Sequence, residues 1–198
     1  MSCILGLAHP NVALAELARV ATAAAKVGSS RLLCALVPPC TPAAPLQLLQ
    51  LPPTYDPLFL SVTRGEKSGK CSVCGTVPVH PALCLLCGQT VCCFTECCTK
   101  GGEGECRQHA QTCGAGVAPF LLIRHCAVFV IMGHKRVSWL NSLYLDAFGE
   151  EDQELKRGRT MYLSQPRLQW LRRLVTTHSY SQDSTVLKHC RRHNGEKY

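Results

Sequence analysis

The sequence predicts an α+β fold: a cysteine-rich module, then a small antiparallel sheet and a C-terminal helix, with a helical flank at the N-terminus. Three observations predict it. Ten of the 15 cysteines fall between Cys71 and Cys113. From residue 119 the pattern changes to short, β-rich apolar runs. From Gln165 the apolar residues recur at helical spacing. The chain has 198 residues, 46% hydrophobic and 17% charged, which excludes a disordered polypeptide and gives enough apolar mass for a core.

Taken in order, residues 10–26 (PNVALAELARVATAAAK) form the predicted flank helix. Pro10 suits its first turn, Ala and Leu fill its interior, and Gly28 follows as a stop. Residues 37–45 are a proline-rich break. Leu46 to Leu51 is assigned one further helical turn, LPPTYDPLF follows at 51–59, and TRGEKSGK at 63–70 is a polar linker. The division is therefore 1–50 helical flank and linker, 51–178 the main domain with its cysteine block at 71–113, and 179–198 a loosely ordered basic tail.

After the block, PFLLIR at 119–124, CAVFVIM at 126–132 and KRVSWL at 135–140 read as a three-stranded meander turning at Gly133-His134. DAFGEEDQE at 146–154 is an acidic loop, and MYLS at 161–164 an edge strand. Gln165 to His178 is a helix with Pro166 near its start and Leu168, Leu171, Leu174 and Val175 on one face.

Composition excludes several functions. No apolar run approaches the ~18 residues of a membrane span. MSCILGLAHP lacks the basic and apolar regions of a secretory signal, so a reducing, cytoplasmic or nuclear setting is expected. Residues 156–198 carry 10 of the 21 Lys and Arg and 2 of the 13 Asp and Glu, so they supply the whole net charge of +8. The basic residues are not interleaved with aromatics on one surface, and no nucleic-acid module is expected. Ser-His-Asp, P-loop and GxGxxG signatures are absent.

The cysteine block carries the chemistry. It reads Cys71-x2-Cys74, Cys84-x2-Cys87-Gly88, Cys92-Cys93, Cys97-Cys98, Cys106-x2-His109, Cys113. A tight turn between two thiols aims both sulfurs at one point, so a tetrahedral ion can take both. Gly75 and Gly88, each directly after a pair, relieve the backbone where it folds back. In a reducing compartment such clusters hold metal rather than disulfides. The expected cofactor is Zn2+, two structural ions, which makes the cysteine-rich module zinc-stabilised. In a cross-braced arrangement Cys71, Cys74, Cys92 and Cys97 form one site, and Cys84, Cys87, Cys106 and His109 the other. Spacing does not separate Cys97 from Cys98, and Cys113 can replace Cys74. Cys3, Cys34, Cys40, Cys93 and Cys126 are read as ordinary thiols. Two complete tetrahedra leave no position for a catalytic water, so no catalytic residue is assigned.

Several motifs in fixed order resemble the C-terminal domain of the UBR family of ubiquitin ligases. They are LPPTYDPLF, CLLCGQTVC at 84–92, Cys97-Cys98, Cys106-x2-His109, CGAGVAPFLLIR at 113–124, YLDAFGEEDQELKRG at 144–158, MYLS, and the helix ending near His178. The resemblance covers about Leu51 to His178. It implies a part in ubiquitin-dependent protein degradation, in some members of substrates with destabilising N-termini. It implies docking to other domains of a ligase, with the conjugating enzyme and substrate reached indirectly. The family's UBR box and RING module are missing here, so the chain looks like a fragment, short isoform or truncated gene product. Independent ligase activity does not follow. A stand-alone RING-like ligase and a FYVE-like lipid binder are the alternatives. The second is weakened because Lys100 and Arg107 are the block's sole basic residues.

The remaining motifs take bland readings. His80, His125 and His134 lie outside metal-ligand spacing, and His189, Cys190 and His193 belong to a solvated tail. Asp146, Glu150, Glu151, Asp152 and Glu154 read as a loop neutralised by Lys156, Arg157 and Arg159. Phe120, Phe129, Trp139, Tyr144 and Trp170 exceed what so small a unit is expected to bury. They predict a docking surface over 119–145 and 165–178, oriented by Lys156, Arg157, Arg159, Arg172 and Arg173.

Overall fold

The computed structural model describes residues 46–64 and 69–192. The flank helix at 10–26, the proline-rich break, Cys3, Cys34, Cys40 and His193 lie outside the described residues, as do residues 65–68 of the polar linker.

Residues 46–52 form neither helix nor strand, so the helical turn assigned to 46–51 is absent. The Leu49 amide donates to the Leu85 carbonyl at 2.7 Å, so this segment is fastened to the sheet's periphery. Helix α1 spans Tyr55–Thr63. Sequence reading missed it, although its signals are local: Thr54 at the N-cap in extended conformation, Asp56 in the first turn, and Pro57 where a missing amide costs nothing.

A single six-stranded antiparallel sheet organises the domain. Its strands are β1 (Pro81–Cys84), β2 (Thr90–Cys92), β3 (Val117–Leu122), β4 (Ala127–Met132), β5 (Arg136–Leu140) and β8 (Cys190–Arg192), in the order β2-β1-β3-β4-β5-β8. The predicted meander is present as β3-β4-β5, with Phe120 opposite Phe129 and Phe129 opposite Trp139. The cysteine module does not merely precede this sheet. It contributes β1 and β2, because all residues of PALC and TVC are buried, the polar Thr90 included.

Both faces of the sheet are covered. One face presents Leu83, Leu121, Val128, Val130 and Met132 to α1 and to α3 (Gln165–Thr177), through Tyr55, Val62, Leu168, Leu171, Leu174 and Val175. The other presents Ala82, Cys84, Phe120, Leu122, Phe129 and Ile131 to α2 (Glu105–Cys113), through Cys106 and Ala110. Period-two alternation thus divides each strand between two cores, and β3 and β4 read as continuous apolar runs for that reason. Helix α2 was also not anticipated within the cysteine block.

The expected docking aromatics are corrected by this packing. Phe120, Phe129 and Tyr144 have no exposed surface, and Trp139 and Trp170 are half-buried. Phe120 and Phe129 stack with centroids 5.4 Å apart, and Phe129 meets Trp139 at 5.2 Å. Two cores, one on each side of the sheet, absorb more apolar surface than a single-faced sheet would.

MYLS does not join the main sheet. Its β7 (Tyr162–Leu163) pairs with β6 (Tyr144–Leu145) in a separate two-stranded ribbon, beside the Thr54–Tyr162 bridge. The tail expected to be loose is structured through Arg192. Asp183 caps the short helix α4 (Ser184–Lys188), its Oδ1 accepting from the amides of Thr185 and Val186. The fully buried Ser138 hydroxyl donates to the Val186 carbonyl at 2.7 Å, and β8 then pairs with β5. Short polar segments such as this one carry little periodicity, so tertiary contacts decide their structure.

The acidic loop is neutralised internally. Arg159 meets the inaccessible Asp146 carboxylate at 2.7 Å, Arg157 pairs with Glu150, Arg167 with Glu151 at 2.6 Å, and Lys156 with Glu154. The hydrogen bond to Asp146 from the Glu150 backbone, followed by that from Arg159, holds the Asp146 carboxyl below its ordinary range.

Candidate metal centres

The first centre begins at a knuckle. The Gly75 amide returns to the Cys71 carbonyl at 3.0 Å, and the amides of Val73 and Cys74 point at the Cys71 sulfur at 3.3 and 3.4 Å. Gly75 takes φ +69°, a conformation that would strain a residue with Cβ. Cys92, at the end of β2, and Cys98 complete the group. The four sulfurs of Cys71, Cys74, Cys92 and Cys98 all lie within 4.8 Å of one another.

The second centre repeats the device. Cys84 ends β1, the Gly88 amide returns to its carbonyl at 2.9 Å, and Gly88 takes φ +77°. Helix α2 supplies His109 and Cys113, four residues and so about one turn apart on one face. Cys84, Cys87, His109 and Cys113 form this quartet.

Distances test whether a metal suits these groups. A Zn–S bond of ~2.3 Å requires sulfurs about 3.8 Å apart along a tetrahedral edge. Cys71–Cys98 is 3.7 Å, Cys74–Cys92 is 3.8 Å and Cys84–Cys113 is 3.9 Å. Cys87 Sγ lies 3.2 Å from His109 Nε2. The donor sets, four thiols and three thiols with an imidazole, are those of structural zinc.

The electrostatics match. Burial pushes the thiols of Cys84, Cys92 and Cys98 well up, because a lone thiolate is penalised there. A dication would reverse that preference and release their protons. The Thr76 hydroxyl and amide pull Cys74 down to about 6. Burial lowers His109, against an opposing effect of Glu105, and favours the neutral imidazole that ligates metal.

Of the ten sequence candidates, eight form the two quartets. Cys97 is exposed, with its sulfur 3.4 Å from that of Cys92 and 3.7 Å from that of Cys98, outside the four. Cys106 lies in neither quartet. Its sulfur is fully buried in the core beneath the sheet, 3.5 Å from the Cys92 carbonyl. Cys106 and Cys113 are seven residues apart on one helix, about 10 Å along its axis, so both cannot serve one ion. The clustered pairs alternate along the chain: 71/74 and 92/98 in one group, 84/87 and 109/113 in the other.

Sequence reading missed Glu105. Its buried carboxylate accepts from the Cys92 amide at 2.8 Å and lies 3.1 Å from the Cys71 sulfur. An acid at the first turn of α2 was the available signal, but it required knowing that a helix starts there.

Residues 16–177 match the family described as Proteolysis_6 C-terminal. Over 138 residues the chain is 45% identical to the E3 ubiquitin-protein ligase ubr3 of Danio rerio, covering 70% of this chain and 7% of that protein. Identity to human UBR3 is 42% over 133 residues, 67% of this chain and 7% of that protein. Identity to the ligase PRT6 of Arabidopsis thaliana is 39% over 149 residues, 74% of this chain and again 7% of that protein. The chain thus spans about 7% of the length of these relatives. No helix of the described residues is long and apolar enough to cross a membrane. From the match over most of its length, the chain belongs to the Proteolysis_6 C-terminal family, the C-terminal domain of UBR-family E3 ubiquitin-protein ligases.

Proposed function

We propose that this chain acts as the zinc-stabilised, non-catalytic C-terminal domain of a UBR-type ubiquitin ligase. It serves as a scaffold that docks onto other parts of the ligase, while transfer of ubiquitin from a conjugating enzyme to substrate takes place elsewhere. The observation that carries this reading is the pair of closed quartets at tetrahedral spacing, built into the edge of a sheet whose two faces are already covered. Zn2+ in each would be held by Cys71, Cys74, Cys92 and Cys98, and by Cys84, Cys87, His109 and Cys113. Bound zinc would cross-link the first knuckle and Cys98 to the end of β2, and β1 to α2, and four protein ligands leave it no position for water.

The apolar side chains left for contact are not the strand aromatics. Val73, Val77 and Val79 on the first knuckle and its following loop are 55%, 40% and 65% exposed, and Phe148 on the acidic loop is 78% exposed. Two experiments test the reading. Metal analysis of the purified chain should give two zincs. A discharge assay with a ubiquitin-charged conjugating enzyme should show no acceleration by this chain alone.

A second reading has one specific support. Alternating ligand pairs form the cross-brace of a RING, and the exposed valines lie on its first loop. Robust lysine discharge abolished by Cys84→Ser and by Val73→Asp would establish a stand-alone RING-like ligase and overturn the scaffold reading.

A further inference from the structure

The first centre has more thiols than a tetrahedral ion can use. Cys97 is the fifth. Its sulfur lies 3.4 Å from that of Cys92, closer than the 3.7 and 3.8 Å that separate the quartet's own pairs Cys71–Cys98 and Cys74–Cys92. It is exposed, whereas Cys92 is buried. The chain between them doubles back sharply. Phe94 takes a left-handed φ of 56°, and the Thr99 amide closes a turn on the Glu96 carbonyl at 3.1 Å. This loop sets Cys97 over the end of β2. Among the described residues the second centre has no such neighbour, since Cys93 and Cys106 are buried in the core beneath the sheet.

We propose that Cys97 is a site of reversible oxidation by hydroperoxides, coupled to zinc through Cys92. The proposal rests on the assignment of zinc to Cys71, Cys74, Cys92 and Cys98. An exposed thiol is open to peroxide, while thiolates bound to zinc are less nucleophilic and, here, mostly buried. In the first step the Cys97 sulfur attacks one peroxide oxygen and the O–O bond breaks. The departing hydroxide takes the thiol proton and leaves as water, giving a sulfenic acid. In the second step the Cys92 thiolate leaves zinc and attacks the Cys97 sulfur. The S–O bond breaks, the departing hydroxide gains a proton, and a second water leaves. The balance is one thiol, one thiolate, one proton from solvent and one hydrogen peroxide to one disulfide and two waters, with two electrons passing to the peroxide. Cys71, Cys74 and Cys98 would then be left as three thiolates, which would hold the ion less tightly than four. A dithiol reductant returns two electrons and restores the quartet.

Cys98 is the rival partner at 3.7 Å, but it is adjacent in sequence. A disulfide between neighbouring residues closes a small strained ring, so Cys92 is the favoured acceptor.

The experiment uses the full chain with its zinc. Metal content is measured first. The chain is then treated with hydrogen peroxide while a chromogenic chelator follows zinc release, and disulfides are mapped by mass spectrometry. The expected result is release of one zinc well before the second, a Cys92–Cys97 disulfide, and recovery with dithiothreitol. Cys97→Ser should hold two zincs at rest and slow the first release several-fold. Fewer than two zincs in the untreated wild type would overturn the underlying zinc assignment. Two zincs with equal release rates in wild type and Cys97→Ser would overturn the proposal itself. So would a Cys97–Cys98 disulfide in place of Cys92–Cys97. If Cys97→Ser changes the resting metal content, disulfide mapping of the wild type alone decides.

Discussion

The Glu105 carboxylate accepts the Cys92 amide at 2.8 Å while its oxygens lie 3.1 and 3.2 Å from the Cys71 sulfur. One buried acid therefore ties together the first knuckle, the end of β2 and the start of α2. With the centre empty, Cys71 as a thiol donates to it. With a metal bound, Cys71 is a thiolate and faces a carboxylate at hydrogen-bond range, which opposes binding.

Glu105→Gln is expected to hold zinc more tightly at the first centre than the wild type. The amide oxygen still accepts from Cys92, and the amide nitrogen donates to the Cys71 thiolate in place of repulsion. Glu105→Ala is expected to weaken both fold and site by about 1–3 kcal/mol, because the buried Cys92 amide loses its acceptor. Chelator competition with each variant checks the order Gln, wild type, Ala. Weaker zinc binding in the glutamine variant than in wild type would contradict it.

The placement of Cys106 and Cys113 gives a clean contrast between neighbouring cysteines. Cys113→Ser and Cys84→Ser are expected to lower the zinc content from two to one and to unfold the surrounding region. Cys106→Ser is expected to keep two zincs and to cost about 1–3 kcal/mol by placing a hydroxyl in an apolar core. Cys190→Ser should change little, since Cys190 is partly exposed on the edge strand. Metal analysis with circular dichroism melts measures both effects. Loss of one zinc in Cys106→Ser with retention of two in Cys113→Ser would reverse the ligand assignment.

What the sequence shows and hides can be followed through these residues. The paired thiols at 71/74 and 84/87 are legible because a knuckle is local: two residues between ligands and a glycine after them. Cys97 against Cys98, and Cys106 against Cys113, are not, because those choices depend on where α2 starts and how β1 lies against β3. Cys84 is opposite Phe120 on β3, which places its sulfur near the C-terminal end of α2 and so within reach of Cys113. The meander is legible from three apolar runs and one turn. The residues of β8 are not, since a three-residue basic strand has no pattern of its own and exists because β5 offers it an edge.

That edge closure is itself testable. Ser138→Ala removes the donor to the buried Val186 carbonyl and is expected to destabilise the domain by about 1–2 kcal/mol. The loss should be felt first at α4 and β8. Hydrogen exchange at residues 184–192 should accelerate more than exchange in β3 or β4. Uniform acceleration throughout the sheet would show that β8 is part of the global cooperative unit and not a separately released edge.

Acid should open the second centre through His109. Burial lowers the imidazole of His109 from its ordinary value of 6.5, so the folded chain holds it neutral while the unfolded chain takes a proton near 6.5. The unfolded state then binds more protons as pH falls, and by linkage stability is lost from about 6.5 downward through the lower folded value. Zinc sharpens the effect, because each bound thiolate and the imidazole must be freed of protons before the metal returns. Thermal melts between pH 8 and pH 5 should show a falling midpoint, with zinc leaving over the same range. His109→Cys offers a fourth thiolate in place of the imidazole and is expected to keep the metal while changing the slope of that decline. An unchanged slope in this variant would mean that protons on the thiols alone set the acid limit, and that His109 contributes nothing to it.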